Sequence, residues 1–220
     1  MHDSPAPDGR SGHRSVSRRE ALKYAVAAPV LLSLPTVAAT LDAQADAMGF
    51  VFAESVRKVT PEVATRLALP ARGRLRVVAV TRHPSQEQVD EILRVFRPDV
   101  LQTDVADLSA LRLPAGLEIL PVLRGRQEAN SPAPRVLFEG QVSGSGTTCD
   151  WDGAREVAQR MQLILAGGLN AGNVARAVAE VRPFGVDVSS GVEERPGIKS
   201  PVEIARFAAA ARGPAARSKQ

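Results

Sequence analysis

The sequence predicts an α/β protein in which a parallel sheet is covered by helices, and two observations support this. After residue 45, seven short apolar runs alternate with segments of helical period. The runs are continuously apolar, as in strands buried on both faces. Either a (β/α)8 TIM-type barrel or an open doubly wound sheet fits this pattern. An eighth strand, needed to close the barrel, has room only within residues 21–34.

Each predicted strand is a short run rich in β-branched and large apolar residues. The seven runs are 47–52 (AMGFVF), 76–81 (RVVAVT), 99–104 (DVLQTD), 117–123 (LEILPVL), 135–140 (RVLFEG), 163–168 (LILAGG) and 184–190 (FGVDVSS). No G-x-G-x-x-G segment follows any of them, which weakens a dinucleotide-binding interpretation.

Capping residues predict where the intervening helices begin. Side-chain oxygens of Ser, Thr and Asn satisfy free N–H groups of a first turn, and proline fits its first position. The predicted starts are Thr60 with Pro61, Ser85 with Gln88, Asn170, and Ser200 with Pro201 and Glu203. A further helix is predicted over 151–161, whereas 124–134 has no helical signal and is predicted to be a loop.

Composition and charge narrow the classes of function. The 220 residues carry a net charge of +4, but residues 1–23 contribute +2 and residues 211–220 contribute +3, so the remaining chain is near neutral at −1. This distribution, with few aromatic residues, predicts no nucleic-acid partner. Cys149 is the single cysteine, which excludes a disulfide scaffold and a cysteine-built zinc site. We predict a basic disordered extension over 1–20, one domain over 21–210 and a basic tail over 211–220.

The N-terminal region allows two interpretations. Ser17–Lys23 (SRREALK) places an arginine pair before an apolar segment, as in twin-arginine export signals. Alternatively, the same residues are a basic leader followed by a buried strand and helix of the fold. The apolar segment is short and contains Pro29 and Pro35, so we predict no membrane span. Cleavage near residues 39–45 would leave a seven-stranded barrel with two unpaired edges; the expected location is therefore the cytoplasm, with export as the alternative.

Glycines and polar residues end the last two predicted strands. Gly167 and Gly168 follow one strand, and Asp187, Ser189, Ser190 and Gly191 end the next. Consecutive amides beside a helix N-terminus donate several hydrogen bonds to one phosphate, and barrels frequently bind phosphate at these last two loops. The two segments together predict a phosphate site. His83 is the one histidine outside the N-terminal extension, and no metal site is predicted.

Several segments resemble the phosphoribosylanthranilate isomerase family of (β/α)8 barrels. GSGTTCDW resembles the family's GGTG/GGSG-x-x-FDW motif, and LAGGLNAGNV and GVDVSSGVEERPGIKSPVEIARF match its closing segments almost word for word. ADAMGFVF and SVRKVTPE resemble its second strand and the segment that follows. The resemblance covers residues 36–210 and implies a barrel whose first strand is divergent or missing.

The resemblance implies an Amadori rearrangement of an aminoaldose phosphate to an aminoketose phosphate, without metal or cofactor. Glu139 stands where the family has its general acid, an Asp. The family's base, a Cys in a KICG motif, has no counterpart: Pro29 or Ala25 falls there, depending on the alignment.

Other positions imply substrate contacts. Arg57 matches the arginine that faces the anthranilate carboxylate, and Asp187 matches an aspartate at the substrate. Gln102 begins the counterpart of the family's QLHG segment, in which Asp104 replaces the histidine. Two hypotheses follow: an isomerase with Glu139 as acid, or a catalytically impaired barrel that retains the phosphosugar site. The sequence makes no prediction of oligomeric state.

Overall fold

The computed structural model describes residues 34–125, 131, 133–140 and 149–213. The predicted extension over 1–20, the proposed signal at Ser17–Lys23 and most of the segment assigned to an eighth strand lie outside these residues. So do 214–220 and most of GSGTTCDW.

Helices and strands alternate along the described chain. Their order is α1 Leu34–Asp42, β1 Ala47–Val51, α2 Pro61–Ala68, β2 Arg76–Val80, α3 Gln86–Val95, β3 Val100–Asp104, a 3₁₀ helix Val105–Ala110, β4 Glu118–Leu123, β5 Arg135–Phe138, α4 Trp151–Ala158, β6 Gln162–Leu165, α5 Val174–Val181, β7 Gly185–Val186, a 3₁₀ helix Ser190–Val192, β8 Glu193–Arg195, β9 Ile198–Lys199 and α6 Pro201–Arg212.

Strands β1 to β7 form one sheet in chain order, and every neighbouring pair is parallel. A doubly wound sheet reverses its strand order at a switch point, and this sheet has no reversal. The order is that of a (β/α)8 barrel, so the structure decides between the two predicted arrangements. All seven predicted strands are confirmed, within a few residues at their ends.

Two layers of side chains cover the faces of the sheet. The inner layer takes residues from β1 to β6, including Ala47, Val100, Leu137 and Ile164. The outer face packs against helices in two further clusters, one around β1–β3 and one around β5–β7. Because successive side chains of a strand point to opposite faces, the inner positions fix which later residues face inward.

The predicted helix starts are largely confirmed. Thr60 accepts a hydrogen bond from Val63 N, Ser85 accepts from Gln88 N, and Ser200 accepts from Glu203 N. Asn170 was predicted to cap the fifth helix, but this is wrong: α5 begins at Val174 after Asn173. The Asn170 side chain instead accepts from Gly172 N in the preceding turn.

Helix α1 is an integral part of the described fold. Thr36, Val37 and Thr40 are buried, and α1 packs against α6. The Arg212 guanidinium donates to the carbonyl oxygens of Ala43 and Gln44. Helix α6 ends at Arg212, inside the predicted tail. Among the described residues, no helix has the length and apolar character to cross a bilayer.

Candidate active site

Polar and charged side chains collect at the carboxyl ends of the strands, on the inner face. Side chains alternate between the two faces of a strand, so a residue two positions after an inner-layer residue also points inward. The inner-layer residues nearest the strand ends include Val100, Val122, Leu137 and Ala166. The residues placed there in this way are Gln102, Asp104, Arg124 and Glu139; Asp187 faces inward because its neighbours Val186 and Val188 pack on the outer face. In barrels of this kind, this end of the sheet carries the chemistry. The structure therefore brings Gln102, Glu139 and Asp187 to one end of the sheet.

Glu139 directly follows β5 at the edge of this mouth. Its backbone N–H donates to Leu123 O at 3.0 Å, which continues the β4–β5 pairing beyond the strand. Its side chain is 18% exposed, and Oε2 accepts a hydrogen bond from Arg124 Nη1 at 3.2 Å. The carboxyl group therefore reaches the mouth and is held by a cation.

Arg124 is a site residue that the sequence analysis missed. Its Nε and Nη2 both donate to Asp104 Oδ1, at 2.9 and 2.7 Å, while Nη1 reaches Glu139. Burial alone would lower the pKa of Arg124, but the hydrogen bond and charge of Asp104 outweigh it, and the pKa lies above its usual value. One sequence signal was available: Arg124 follows inner residue Val122 by two positions, at the end of β4.

The first predicted phosphate segment lies beside Glu139. Gly167 and Gly168 both have positive φ, +87° and +66°, which favours glycine. A Cβ on Gly167 would lie 3.3 Å from Cys149 Cβ and 3.7 Å from Glu139 Cγ. Within the described residues, neither glycine N–H donates to a protein acceptor. This loop thus approaches the acid closely and offers two unpaired amides.

The second predicted phosphate segment packs directly onto the first. A Cβ on Gly191 would lie 1.9 Å from Leu169 O, so this close approach of the two loops requires glycine. Ser190 and Gly191 belong to a short 3₁₀ helix that follows Ser189, rather than to a longer α-helix. The structure therefore brings the two glycine-containing loops together.

Arg57 lies in the loop after β1, where Glu193 of β8 holds it. The Arg57 Nε and Nη2 atoms donate to the two Glu193 carboxylate oxygens at 2.8 and 2.7 Å. Lys199 donates to the same carboxylate at 3.0 Å. The hydrogen bond that Arg57 donates to Glu193 raises the pKa of Arg57, so the guanidinium stays charged.

Two polar side chains at the mouth, those of Gln102 and Asp187, are relevant to binding. Gln102 is buried, and its Oε1 has no hydrogen-bond partner among the described residues. A buried amide oxygen without a partner is costly, and a ligand donor would satisfy it. Asp187 is half-buried, and its carboxylate acts electrostatically on Lys199.

Cys149 is unsuited to proton abstraction. It is buried against Gly140 and Gly167, and burial raises the pKa of its thiol to about 12. The thiolate, which is the basic and nucleophilic form, is therefore scarce at neutral pH. Cys149 therefore fills a packing position beside the two glycine loops.

His83 meets two carboxylates from elsewhere in the chain. His83 Nδ1 lies 2.8 Å from Asp107 Oδ1, and Asp104 completes a group of possible metal ligands. Two arginines compensate the Asp104 charge: Arg124 at 2.7 Å and Arg82 at 3.8 Å. The adjacent guanidinium groups disfavour a bound cation, so we assign no metal to this cluster.

Comparison with known proteins identifies the relatives of this chain. The sequence profile of the family described as N-(5'phosphoribosyl)anthranilate (PRA) isomerase matches residues 26–210. The N-(5'-phosphoribosyl)anthranilate isomerase of Rhizobium etli (strain CIAT 652) is 35% identical in an alignment of 189 residues, gaps included, that covers 76% of this chain and 84% of that protein.

Solved structures agree with the sequence relatives. The phosphoribosyl anthranilate isomerase of Thermus thermophilus superposes with a TM-score of 0.73 at 26% identity, over 85% of this chain and 96% of that one. A second isomerase was solved with reduced 1-(o-carboxyphenylamino)-1-deoxyribulose 5-phosphate; it has a TM-score of 0.67 at 26% identity, over 86% of this chain and 98% of that one. Taken with the seven parallel strands and the placement of their polar ends, these matches show that the chain belongs to the N-(5'-phosphoribosyl)anthranilate isomerase family.

Proposed function

We propose that this chain catalyses the Amadori rearrangement of N-(5-phosphoribosyl)anthranilate to the carboxyphenylamino-deoxyribulose phosphate, a step of tryptophan biosynthesis. The observation that carries the proposal is the position of Glu139. Its carboxyl group reaches the barrel mouth beside the loop that contains Gly167. A Cβ atom added to Gly167 would lie only 3.7 Å from Glu139 Cγ. The side chain that we assign as the acid thus lies next to the loop that we assign to the phosphate.

The reaction requires one proton donor and one proton acceptor. Protonation of the ring oxygen opens the sugar to an iminium ion, and loss of the proton from the adjacent carbon gives an enamine that tautomerises to the ketone. One carbon is reduced while its neighbour is oxidised, so the conversion is redox-neutral. We assign ring-oxygen protonation to Glu139.

The phosphate end of the substrate is assigned to the two glycine loops. Support comes from the amides of Gly167 and Gly168, which donate to no acceptor among the described residues, and from the close approach of Gly191 to Leu169 O. Amides arranged in this way hold anions without needing a cationic side chain. Ser189 and Ser190 add hydroxyl groups on the same loop.

The aryl end is assigned to Arg57, and the sugar to Gln102 and Asp187. A guanidinium binds a carboxylate through two parallel hydrogen bonds, which suits the anthranilate group. Gln102 Oε1, buried and without a partner among the described residues, is suited to accept a hydrogen bond from a sugar hydroxyl. These assignments place the two anionic ends of one ligand in separate subsites.

The base position lies outside the described residues, since the family's cysteine aligns with Pro29 or Ala25. Within the described part of the chain, the mouth carries Asp104 and Asp187 in addition to Glu139. Cys149 is not assigned, because the pKa of its thiol is raised to about 12.

We also propose that the protein acts in the cytoplasm. Cleavage of an export signal near residues 39–45 would remove most or all of α1, which buries Val37 and Thr40 in the fold. N-terminal sequencing of the accumulated protein tests this: a chain that begins at Met1 or residue 2 is expected, and one that begins near residue 40 contradicts it.

Complementation of a tryptophan auxotroph that lacks this isomerase tests the activity. The wild-type chain and the control Glu87→Ala, at an exposed residue of α3, should restore growth. Glu139→Ala should not, although it should accumulate as folded protein. Growth with Glu139→Ala would overturn the acid assignment. Failure of the wild-type chain to restore growth, with no turnover by the purified protein, would overturn the proposed activity.

A further inference from the structure

Two charged side chains, Glu193 and Lys199, connect the predicted carboxylate-binding arginine to the predicted phosphate loop. Glu193 accepts from Arg57 Nε at 2.8 Å and from Arg57 Nη2 at 2.7 Å. Lys199 Nζ donates to Glu193 Oε1 at 3.0 Å, to Ser189 O at 2.5 Å and to Ser189 Oγ at 3.3 Å. The chain of contacts thus runs from the loop after β1 to the loop after β7.

The three groups are withdrawn from solvent to different degrees. The Lys199 side chain is fully buried, that of Glu193 is 4% exposed, and that of Arg57 is 16% exposed. Exposure therefore increases toward Arg57, at the end of the chain of contacts. Because desolvation offsets much of the attraction within a buried ion pair, such a chain is a weak source of stability but a precise means of orientation.

The way Glu193 holds Arg57 leaves one edge of the guanidinium available. Nε and Nη2 form the side edge, and both are engaged by the Glu193 carboxylate. Among the described residues, no acceptor takes a hydrogen bond from Nη1. A guanidinium has five N–H donors in a plane, so the end edge formed by Nη1 and Nη2 retains the donors that a second carboxylate needs.

Their mutual electrostatic interaction keeps Arg57 and Glu193 charged. Burial alone would raise the pKa of Glu193, but hydrogen bonds from Arg57 and Lys199 outweigh it and lower that pKa below its usual value. Glu193 is therefore ionised at neutral pH and fixes the plane of the Arg57 guanidinium.

We propose that Glu193 and Lys199 are positioning residues that hold Arg57 end-on to the aryl carboxylate of the substrate, at a fixed distance from the phosphate loop at Ser189. This inference rests on the proposed function and names the device that relates its two anionic subsites. Glu193 sets the orientation of Arg57. Lys199 ties Glu193 to Ser189, so the carboxylate and phosphate subsites move as one unit.

Ligand binding by the full-length protein tests the proposal. Two probes are compared: reduced 1-(o-carboxyphenylamino)-1-deoxyribulose 5-phosphate, and its anilino counterpart without the carboxylate. The variants are Glu193→Gln and the double variant Glu193→Gln/Lys199→Met, which removes both charges so that no buried lysine is left without its carboxylate. Glu194→Gln, at the exposed neighbouring carboxylate of β8, is the control.

In both Glu193 variants, the Kd of the carboxylated probe should rise about tenfold, which corresponds to the loss of one well-oriented charge-assisted hydrogen bond. The Kd of the anilino probe should stay within about twofold for Glu193→Gln, because Arg57 does not contact that probe. In the double variant it should also rise, because the tie between Lys199 and Ser189 in the phosphate loop is lost. Glu194→Gln should bind both probes as the wild type does. This specific loss separates positioning of Arg57 from a general structural role.

Three results would overturn the inference while leaving the proposed function intact. Equal weakening of both probes by Glu193→Gln would indicate a structural role, and tighter binding of the carboxylated probe by this variant would show that Glu193 competes with the ligand. Unchanged binding of the carboxylated probe would show that Arg57 needs no support. A wild-type protein that binds neither probe would overturn the proposed function together with the inference.

Discussion

Arg124 bridges Asp104 and Glu139 across the mouth of the barrel. One guanidinium contacts Asp104 Oδ1 at 2.7 Å through Nη2 and Glu139 Oε2 at 3.2 Å through Nη1. Asp104 ends β3, while Arg124 and Glu139 directly follow β4 and β5, so a single cation ties together three successive strand ends. The orientation of the proposed acid therefore depends on a residue that the family resemblance did not indicate.

Replacing the acid should abolish most of the activity without unfolding the protein. Glu139→Gln keeps the shape of the side chain and an oxygen that accepts from Arg124, but it cannot donate an acidic proton. We expect kcat to fall by roughly 10² to 10⁴-fold, the usual contribution of general acid–base catalysis. Glu139→Asp should retain more activity than Glu139→Gln, because it keeps the acid group. Steady-state kinetics measure both; equal kcat values for the two variants would contradict the assignment.

Removing Arg124 should lower stability as well as activity. Arg124→Met leaves the largely buried Asp104 carboxylate without its strongest partner, and removing one member of a buried pair costs about 3 kcal/mol. Urea unfolding measures the loss in free energy of unfolding, and kcat should fall in the same variant because Glu139 loses its orientation. Arg82→Met is the control, since Arg82 is nearly half exposed and lies 3.8 Å from Asp104. Full activity of Arg124→Met would show that Arg124 has no part in positioning the acid.

The stability of the protein should depend on Lys199 in alkaline solution. Burial lowers the pKa of Lys199 from 10.5 to about 8 in the folded protein. Between these pH values the unfolded state binds more protons at this site, so Lys199 makes the free energy of unfolding rise as pH increases from about 8 to about 10.5. Lys199→Met should lack this rise in urea unfolding measured across that range. Lys58→Met, at an exposed lysine, should behave as the wild type does. The prediction would be contradicted if the free energy of unfolding of the wild type, relative to that of Lys199→Met, fell as the pH increased over this range.

A methyl group at Gly191 should separate the two phosphate loops. The added Cβ of Gly191→Ala would lie 1.9 Å from Leu169 O, so the backbone of one loop must move. We expect the Kd for the phosphate-containing product analogue to rise at least about tenfold. The loss in free energy of unfolding should be smaller than this loss in binding free energy. Gly116→Ala is the control: φ is +89° but no atom lies within 4 Å, so it strains the backbone away from the site. Isothermal titration measures the Kd of both variants. An unchanged Kd for Gly191→Ala would show that the contact between the loops plays no part in phosphate binding.

The thiol of Cys149 should be dispensable and slow to react. Burial raises its pKa to about 12, so little thiolate is available to a thiol reagent at pH 8. Labelling of the native protein by a maleimide should be far slower than labelling in urea. The kcat of Cys149→Ala should fall by much less than the roughly 10²-fold or greater loss that removal of a general base causes. A loss of that size, or rapid native labelling, would give Cys149 a catalytic part after all.

Local sequence signals were sufficient for the seven strands of the main sheet and for most of the helix starts. Continuous apolar runs locate β1 to β7, because strands buried on both faces leave no polar alternation. Thr60, Ser85 and Ser200 mark helix starts, because a side-chain oxygen satisfies N–H groups only two or three residues away. The misplaced cap at Asn170 has a local cause as well: its side chain binds the Gly172 amide in a turn, and the helix starts one turn later.

The sequence by itself determined the order of strands and helices, the near-neutral body and the strand ends at which Glu139, Gly167 and Asp187 stand. Only the tertiary structure decided what those residues contact. Arg57 and Glu193 are 136 residues apart, and Arg124 and Asp104 are 20 apart on different strands. Such pairs depend on how a parallel sheet brings distant strand ends to one edge, and no local period or cap encodes that relationship. The sheet order therefore converts separate polar positions into one site.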